Sequence, residues 1–428
     1  MKIYNKYDFG VVLLIALLAF GGLGGVFQPV RIFALMFAPF VFLRIASIKM
    51  ERLDRYAMPF FLIWYAYAMM SMIWTPAPEE GLKQLAYFGV HFSMFFQLVF
   101  WARRSKNFSQ SIAVGWLLAA GLTLPIALYE ITTSNHLPMS RMDSDSVINT
   151  GSGVIPYIYA DTTFGDLNAY SIFLCYAAFF LFAGLLMRFS KILKIAIALE
   201  LLVIAYVLFV NSSRGAIASF LLIALSFFVL YAKREWTFNK IQNILKLIFL
   251  LVGLALLVFA MANILNVDGY RMLYRFSNGF DFSEDARAQI YSAAFNAIMD
   301  GYFVGAGIGS EAAVLEKYSA AVANSHNLII EILIQYGILI CVAFLILIGA
   351  IIKNLFSKND LTYKFLSASF LLAFPPTFLV VSGYLLSPAM WIFFGSMYAL
   401  CTNKEFLKYP IIKPKNEIRS PNLRPLAQ

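Results

Sequence analysis

The chain has 428 residues, 61% of them hydrophobic and 13% charged, with a formal net charge of +10. A soluble domain is about half apolar and about 25% charged, so this composition excludes an ordinary soluble fold and specifies a polytopic membrane protein. Long continuous apolar runs also exclude a β-barrel, whose strands alternate over about ten residues.

Lys2 and Lys6 precede an apolar run from Gly10, as in a signal sequence. No small-residue cleavage site comes before the next run, so an uncleaved first helix is expected. Apolar runs fall near 10–27, 30–47, 57–74, 84–101, 110–130, 167–187, 192–210, 214–231, 243–265, 327–352, 363–382 and 388–402. At ~20 residues per span, they predict an all-α polytopic integral membrane protein with about 12 transmembrane helices. Helices 1–9 would fill 1–265, with an outer loop at about 131–166. A large periplasmic loop between helices 9 and 10 would occupy 266–325, helices 10–12 would follow over 326–402, and a cytoplasmic tail over 403–428.

Every second connection is rich in Lys and Arg: Arg44, Lys49, Arg52 and Arg55, then Arg103, Arg104 and Lys106, then Arg188, Lys191 and Lys194. The same holds for Lys233, Arg234 and Lys240, for Lys353, Lys358 and Lys364, and for the tail. Basic loops face the cytoplasm, so both termini are expected there. The positive charge then anchors the cytoplasmic face to anionic lipid and implies no nucleic acid. Three cysteines, Cys175, Cys341 and Cys401, lack disulfide or metal spacing and read as packing residues. The aromatic residues suit interfacial belts, though most are expected to fill helix packing.

The 266–325 loop is expected to carry an amphipathic helix from Ser283-Glu284-Asp285-Ala286-Arg287, with acids at its N-terminus. Gly305-Ala306-Gly307-Ile308-Gly309 has no P-loop lysine and reads as a tight turn. Asp166 or Asn168 is expected to cap the helix that starts near 167.

Basic residues on the outer face run against the positive-inside rule, and each needs a reason. Arg214 sits in Asn211-Ser212-Ser213-Arg214-Gly215, a short re-entry between two apolar runs, where it either snorkels to headgroups or holds an anion. Arg287 and Tyr291 are four apart and share a helix face; Arg287 either reaches a phosphate or pairs with Glu284 or Asp285. Arg31 either anchors the interface or joins them. Guanidinium forks suit phosphate oxygens, so the three are candidates for a lipid-linked diphosphate. His326, at the outer end of a span, is the candidate base. Glu331 is expected to orient His326, to pair with Arg214, or to pair structurally. His91, His136, Glu130 and Glu200 are expected to be structural. The acids of 131–166 are spread out in the sequence, with Asp143 and Asp145 the only close pair, so no metal site and no cofactor is expected.

These features together resemble the O-antigen ligase / O-antigen polymerase superfamily of bacterial envelope glycan transferases. The resemblance rests on Phe164-Gly165-Asp166-Leu167-Asn168, Ser212-Ser213-Arg214-Gly215, Arg287 with Tyr291 before the Gly305 turn, and Ser325-His326-Asn327 followed by Glu331. It covers roughly 150–340; the flanks fit by topology. It implies transfer of a glycan from undecaprenyl diphosphate to an acceptor hydroxyl at the periplasmic face of the inner membrane. The expected enzyme is a metal-independent inverting glycosyltransferase, with O-antigen ligation onto lipid A–core as the leading reading. By carry-over, Arg214 and Arg287 bind the donor diphosphate and His326 activates the acceptor, with Tyr291, Asn168, Asn327 and Glu331 in support. The family motif usually reads Asn-Pro-Asn where this chain has Asp166-Leu167-Asn168, which lowers the weight on Asp166. A repeat-unit polymerase, with a lipid-linked glycan as acceptor, would use the same residues. A polysaccharide flippase is the alternative from another class, though no internal repeat is visible.

Overall fold

The structure, a computed structural model, describes residues 5–45, 50–140, 147–150, 153–156, 158–234, 286–300, 302–318, 324–381 and 383–403. The expected ninth span, Arg141, Asp143, Asp145, Arg271, Arg275 and the tail lie outside them. The chain is a helical membrane protein. Its helices are α1 (Lys6–Ala16), α2 (Pro29–Ile45), α3 (Asp54–Ser71), α4 (Pro78–Ala102) and α5 (Phe108–Thr133). A short antiparallel hairpin follows, β1 (Val147–Thr150) with β2 (Gly153–Pro156), paired Val147 to Pro156. Then come α6 (Leu167–Leu186), α7 (Lys191–Asn211), α8 (Arg214–Arg234), α9 (Ala286–Met299) and α10 (Glu311–Lys317). The last three are α11 (Leu328–Phe356), α12 (Leu361–Thr377) and α13 (Pro388–Thr402). Among the described residues six helices, α4 to α8 and α11, are long and apolar enough to cross a membrane.

Side-chain caps fix many of the starts, because the first amides of a helix have no partner within it. Asn5 accepts from Tyr7 and Asp8, Ser190 from Leu193, and Asp360 from Thr362. Three apolar runs depart from a simple span. The first is helical only to Ala16 and then tightens into 3₁₀ turns, with Gly21, Gly24 and Gly25 at positive φ. The run at 363–382 stops at Thr377, just after Pro375 and Pro376, which supply no amide to a continuing helix. The run at 327–352 is broken at Gly337, where φ is 75° and ψ is −178°.

The core contains many aromatic contacts. Phe61 and Trp64 of α3, Phe88 and Phe92 of α4, and Trp391 of α13 form one cluster, with Phe92 and Trp391 centroids 5.1 Å apart. All three cysteines are free and buried, as packing residues would be. One end of the bundle gathers the starts of α3, α5 and α12 with the ends of α4, α11 and α13. There Asp54 accepts from Arg103 at 2.7 Å and from the Tyr398 hydroxyl at 2.7 Å. Lys358 donates to the carbonyls of Leu400 and Asn403, and Asp8 accepts from Ser105 and from the Asn107 amide. This end carries the Lys- and Arg-rich connections. The candidate residues lie at the other.

Candidate functional site

The starts of α6 and α8 meet at this second end. Asp166 caps α6, its Oδ1 accepting from Ala169 N at 2.7 Å. Two residues on, Asn168 Oδ1 accepts from the Ser213 hydroxyl at 3.1 Å. Asn211 holds the same corner from below: Ala160 N donates to its Oδ1 at 2.8 Å, and its Nδ2 donates to Ala160 O at 2.9 Å and Ser171 Oγ at 3.1 Å. The α7–α8 turn is sharp, with Ser212 at φ 52°. Arg214 is the first residue of α8 and is exposed, on top of buried Asn211, Ser212 and Ser213. A guanidinium here adds to the partial positive charge of a helix N-terminus, and the α6 N-terminus lies alongside.

His326 sits on a second turn. Its φ is 51°, a left-handed conformation that a non-glycine residue adopts only when its surroundings hold it there. Two contacts do so. Asn327 caps α11, its Oδ1 accepting from Ile329 at 2.9 Å and Ile330 at 3.3 Å. On the other side, Glu311 of α10 accepts from the Ser325 amide at 2.8 Å. Glu311 is buried, and burial pushes its carboxyl above the usual range, against the lowering effect of Ser325. Asn327 is thus the helix cap, and Glu311, which the sequence did not single out, positions the His326 turn.

Glu331 is also buried, and it holds backbone. Its Oε2 accepts from Tyr384 N at 2.9 Å and its Oε1 from Leu385 N at 3.3 Å. This ties α11 to the segment between α12 and α13. That segment bridges the two turns. Leu328 N donates to Phe378 O at 3.2 Å, and the Tyr384 hydroxyl accepts from Val380 and Val381. At its far side Gly215 packs so tightly on Val380 and the Pro376 carbonyl that a side chain there would collide. Arg214 and His326 are therefore mounted on one connected framework of backbone contacts.

Arg31 serves this framework too. It is 7% exposed, lies 4.1 Å over the Tyr87 ring and donates to Leu386 O at 3.2 Å. His91 bonds Leu385 O at 3.1 Å and Trp391 Nε1 donates to the same oxygen at 2.8 Å. These contacts make Arg31 a clamp on the 384–386 turn. Arg287 falls in the first turn of α9, but its side chain and Glu284 and Asp285 lie outside the described residues. Tyr291 is half-buried on α9, whose inner face is Ile290, Ala293, Ala294 and Ala297. This helical spacing of buried residues is the expected amphipathic pattern.

The glycine-rich run is a tight turn, and it has a partner. Gly305, Gly307 and Gly309 have φ of 82°, 99° and 77°. The break at Gly337 frees carbonyls of α11, and the run supplies the missing donors: Ala306 N to Ile334 O at 2.7 Å and Gly307 N to Gln335 O at 3.1 Å. Gly309 N donates to Gln335 Oε1 at 2.9 Å, and Thr75 Oγ1 donates to Ile308 O at 2.8 Å. A broken helix at membrane depth is tolerated when its freed groups are satisfied in this way.

Among the described residues, two acids and a histidine of this end come together in space. Glu130, His136 and Asp161, 31 residues apart at their extremes, come together with their donor atoms within 4.8 Å of one another. Sequence separation hides this group, because Glu130 ends α5, while His136 and Asp161 stand on either side of the β1–β2 hairpin. His136 stacks on Tyr159 with centroids 4.0 Å apart. Burial raises the Asp161 carboxyl above its usual range and lowers the His136 imidazole below its own.

Residues 199–347 match the model of a family described as O-antigen ligase. Arg214, Arg287, Tyr291, His326, Asn327 and Glu331 fall inside the matched region. Arg31, Asn168 and the Glu130 group do not. The chain is also similar to a protein of Bacillus subtilis (strain 168), teichuronic acid biosynthesis protein TuaE, at 24% identity over 300 residues. That match covers 67% of this chain and 58% of the relative.

Proposed function

We propose, from the match of residues 199–347 to the O-antigen ligase family model, that this chain transfers a glycan from undecaprenyl diphosphate to an acceptor hydroxyl. The donor diphosphate sits at Arg214, over the N-termini of α6 and α8, with Arg287 closing from the outer loop. The acceptor hydroxyl lies against His326. Its oxygen attacks the anomeric carbon from the face opposite the phosphate, so the configuration inverts. The bond from that carbon to the phosphate oxygen breaks, the lipid diphosphate leaves with the electron pair, and the hydroxyl proton passes to His326. Arginines preorganised at the leaving group stabilise the charge that develops there, often the main source of rate enhancement in such catalysis. The histidine adds about 10²–10⁴-fold as a base.

The observation that carries this reading is the Ser213–Asn168 contact, which sets Arg214 beside a second helix N-terminus on the framework that also mounts the His326 turn. Twelve spans, cytoplasmic termini and a periplasmic site in the bacterial inner membrane belong to the same proposal. The acceptor we assign is lipid A–core, making the enzyme an O-antigen ligase. The relative named for teichuronic acid biosynthesis favours a second reading, in which the acceptor is another lipid-linked glycan. The surface polysaccharide of a deletion strain separates them. A ligase leaves long chains on the lipid carrier and bare core; a polymerase leaves single repeats that still reach the core. Normal products at both steps would remove both readings.

A further inference from the structure

We propose that Glu130, His136 and Asp161 form a binding site for one divalent transition-metal ion of the zinc class, distinct from the glycan-transfer residues. The donor set is one imidazole and two carboxylates, which suits zinc with a water completing the shell. The spacing fits an ion and does not fit direct bonding. His136 Nδ1 lies 3.7 Å from Asp161 Oδ1 and 3.9 Å from Glu130 Oε2. A hydrogen bond needs about 2.8 Å, whereas ligands about 2.1 Å from a common ion stand roughly 3–4 Å from each other.

The second observation is the state of the donor atoms themselves. Glu130 is 1% exposed and Asp161 is 0% exposed. Yet Glu130 Oε1 and Asp161 Oδ1, together with His136 Nδ1, have no partner within hydrogen-bond geometry. Buried carboxylate oxygens left this way cost free energy, and two acids side by side repel. A dication removes both penalties. Both carboxylates are already oriented by hydrogen bonds. Glu130 Oε2 accepts from the amides of Asp161 at 3.0 Å and Thr162 at 2.9 Å, and Asp161 Oδ2 accepts from Ser140 Oγ at 2.6 Å. Such outer contacts hold ligands in position before the ion arrives. Thr162 Oγ1, in the same turn, is also buried without a partner.

The ion has a structural consequence. It pins the loop after α5 to the 159–163 strap, and Ala160 of that strap is the residue that Asn211 grips under the Arg214 turn. Binding therefore stiffens the mount of the α6–α8 corner without touching the reacting atoms.

The test uses the full-length protein in detergent, stripped with a chelator and titrated with zinc by calorimetry, with manganese and calcium for comparison. One zinc per chain is expected, bound more tightly than manganese, with calcium weakest. Zinc at about 100 times its dissociation constant should raise the thermal midpoint by several degrees. Asp161→Asn and His136→Gln should each weaken zinc binding by at least about 10-fold. His136, whose side chain is 12% exposed against 1% or less for the two carboxylates, is the substitution least liable to disturb folding. A wild-type protein that takes up no stoichiometric zinc overturns the proposal whatever the variants do. Stoichiometric zinc that survives both substitutions also overturns it, by assigning the ion to another site. Neither readout depends on glycan transfer, so failure here leaves the proposed activity standing, and the reverse.

Discussion

The two ends of the bundle use charge in opposite ways. At the basic end, cations meet their partners, Arg103 with Asp54 and Lys358 with two helix-end carbonyls, and the neutral Tyr398 hydroxyl joins the same Asp54. At the other end three buried carboxylates, Glu130, Glu311 and Glu331, spend themselves on backbone amides of turns. The first arrangement locks helix ends together. The second shapes irregular backbone and leaves Arg214 exposed at a helix start. A cation buried in the packing cannot meet a ligand, whereas one exposed at a helix start can, and the proposed function places the donor diphosphate at that second end.

The largest effects should follow from breaking the receiving end. Arg214→Ala should abolish glycan transfer with insertion and yield unchanged. Arg214→Lys should also be poor, because the ammonium lacks the guanidinium fork. Wild-type transfer in either would remove Arg214 from the site. His326→Ala should lower the rate by about 10²–10⁴-fold; a loss of only a few-fold would reduce it to a turn residue. The basic end should show the reverse pattern. Arg103→Ala strands a buried carboxylate at Asp54, so it should cost about 3–5 kcal/mol of stability, read by denaturation in detergent, with little loss of rate per folded molecule.

Gly337→Ala tests the seam between the glycine run and α11. A side chain there meets the Phe303 carbonyl, and the backbone is one that non-glycine residues rarely adopt. About 1–3 kcal/mol of destabilisation is expected, seen as a lower midpoint and easier proteolysis after residue 300. The smallest effect concerns pH. Burial lowers the Lys358 ammonium from 10.5 to about 8. Between those values the unfolded chain binds the proton and the folded one does not, so stability should rise with pH across that window. Lys358→Met should flatten the rise; a slope unchanged by that substitution would assign it to other groups.

Much of the fold was legible because apolar run length and basic-loop alternation are strong, local signals. The expected runs that fall among described residues are helical where they were placed, apart from the glycine- and proline-limited ends. The Asp166 cap and the glycine turn were also readable, since each is encoded within a few residues. What the sequence hid was long-range. Nothing in it says that Glu331 serves Tyr384, that Arg31 clamps Leu386, or that Glu311 reaches Ser325. The outer acids read as dispersed because the hairpin separates Glu130 and His136 from Asp161, and only the folded chain brings them together. For Arg287 the sequence offers only its four-residue spacing from Tyr291 and the family likeness, its side chain lying outside the described residues.

The central claim is that Arg214 and His326 act on one lipid-linked donor at one site. The most direct measurement is reconstituted transfer by the purified protein, with an undecaprenyl-diphosphate-linked glycan and an acceptor in the same micelles, following acceptor glycosylation and free lipid diphosphate together. Wild type should form both in equal amounts, while the Arg214→Ala and His326→Ala proteins, equally folded, form neither at a comparable rate. Equal turnover by wild type and both variants, or wild-type membranes that move the glycan across the bilayer without breaking its bond to phosphate, would contradict the account.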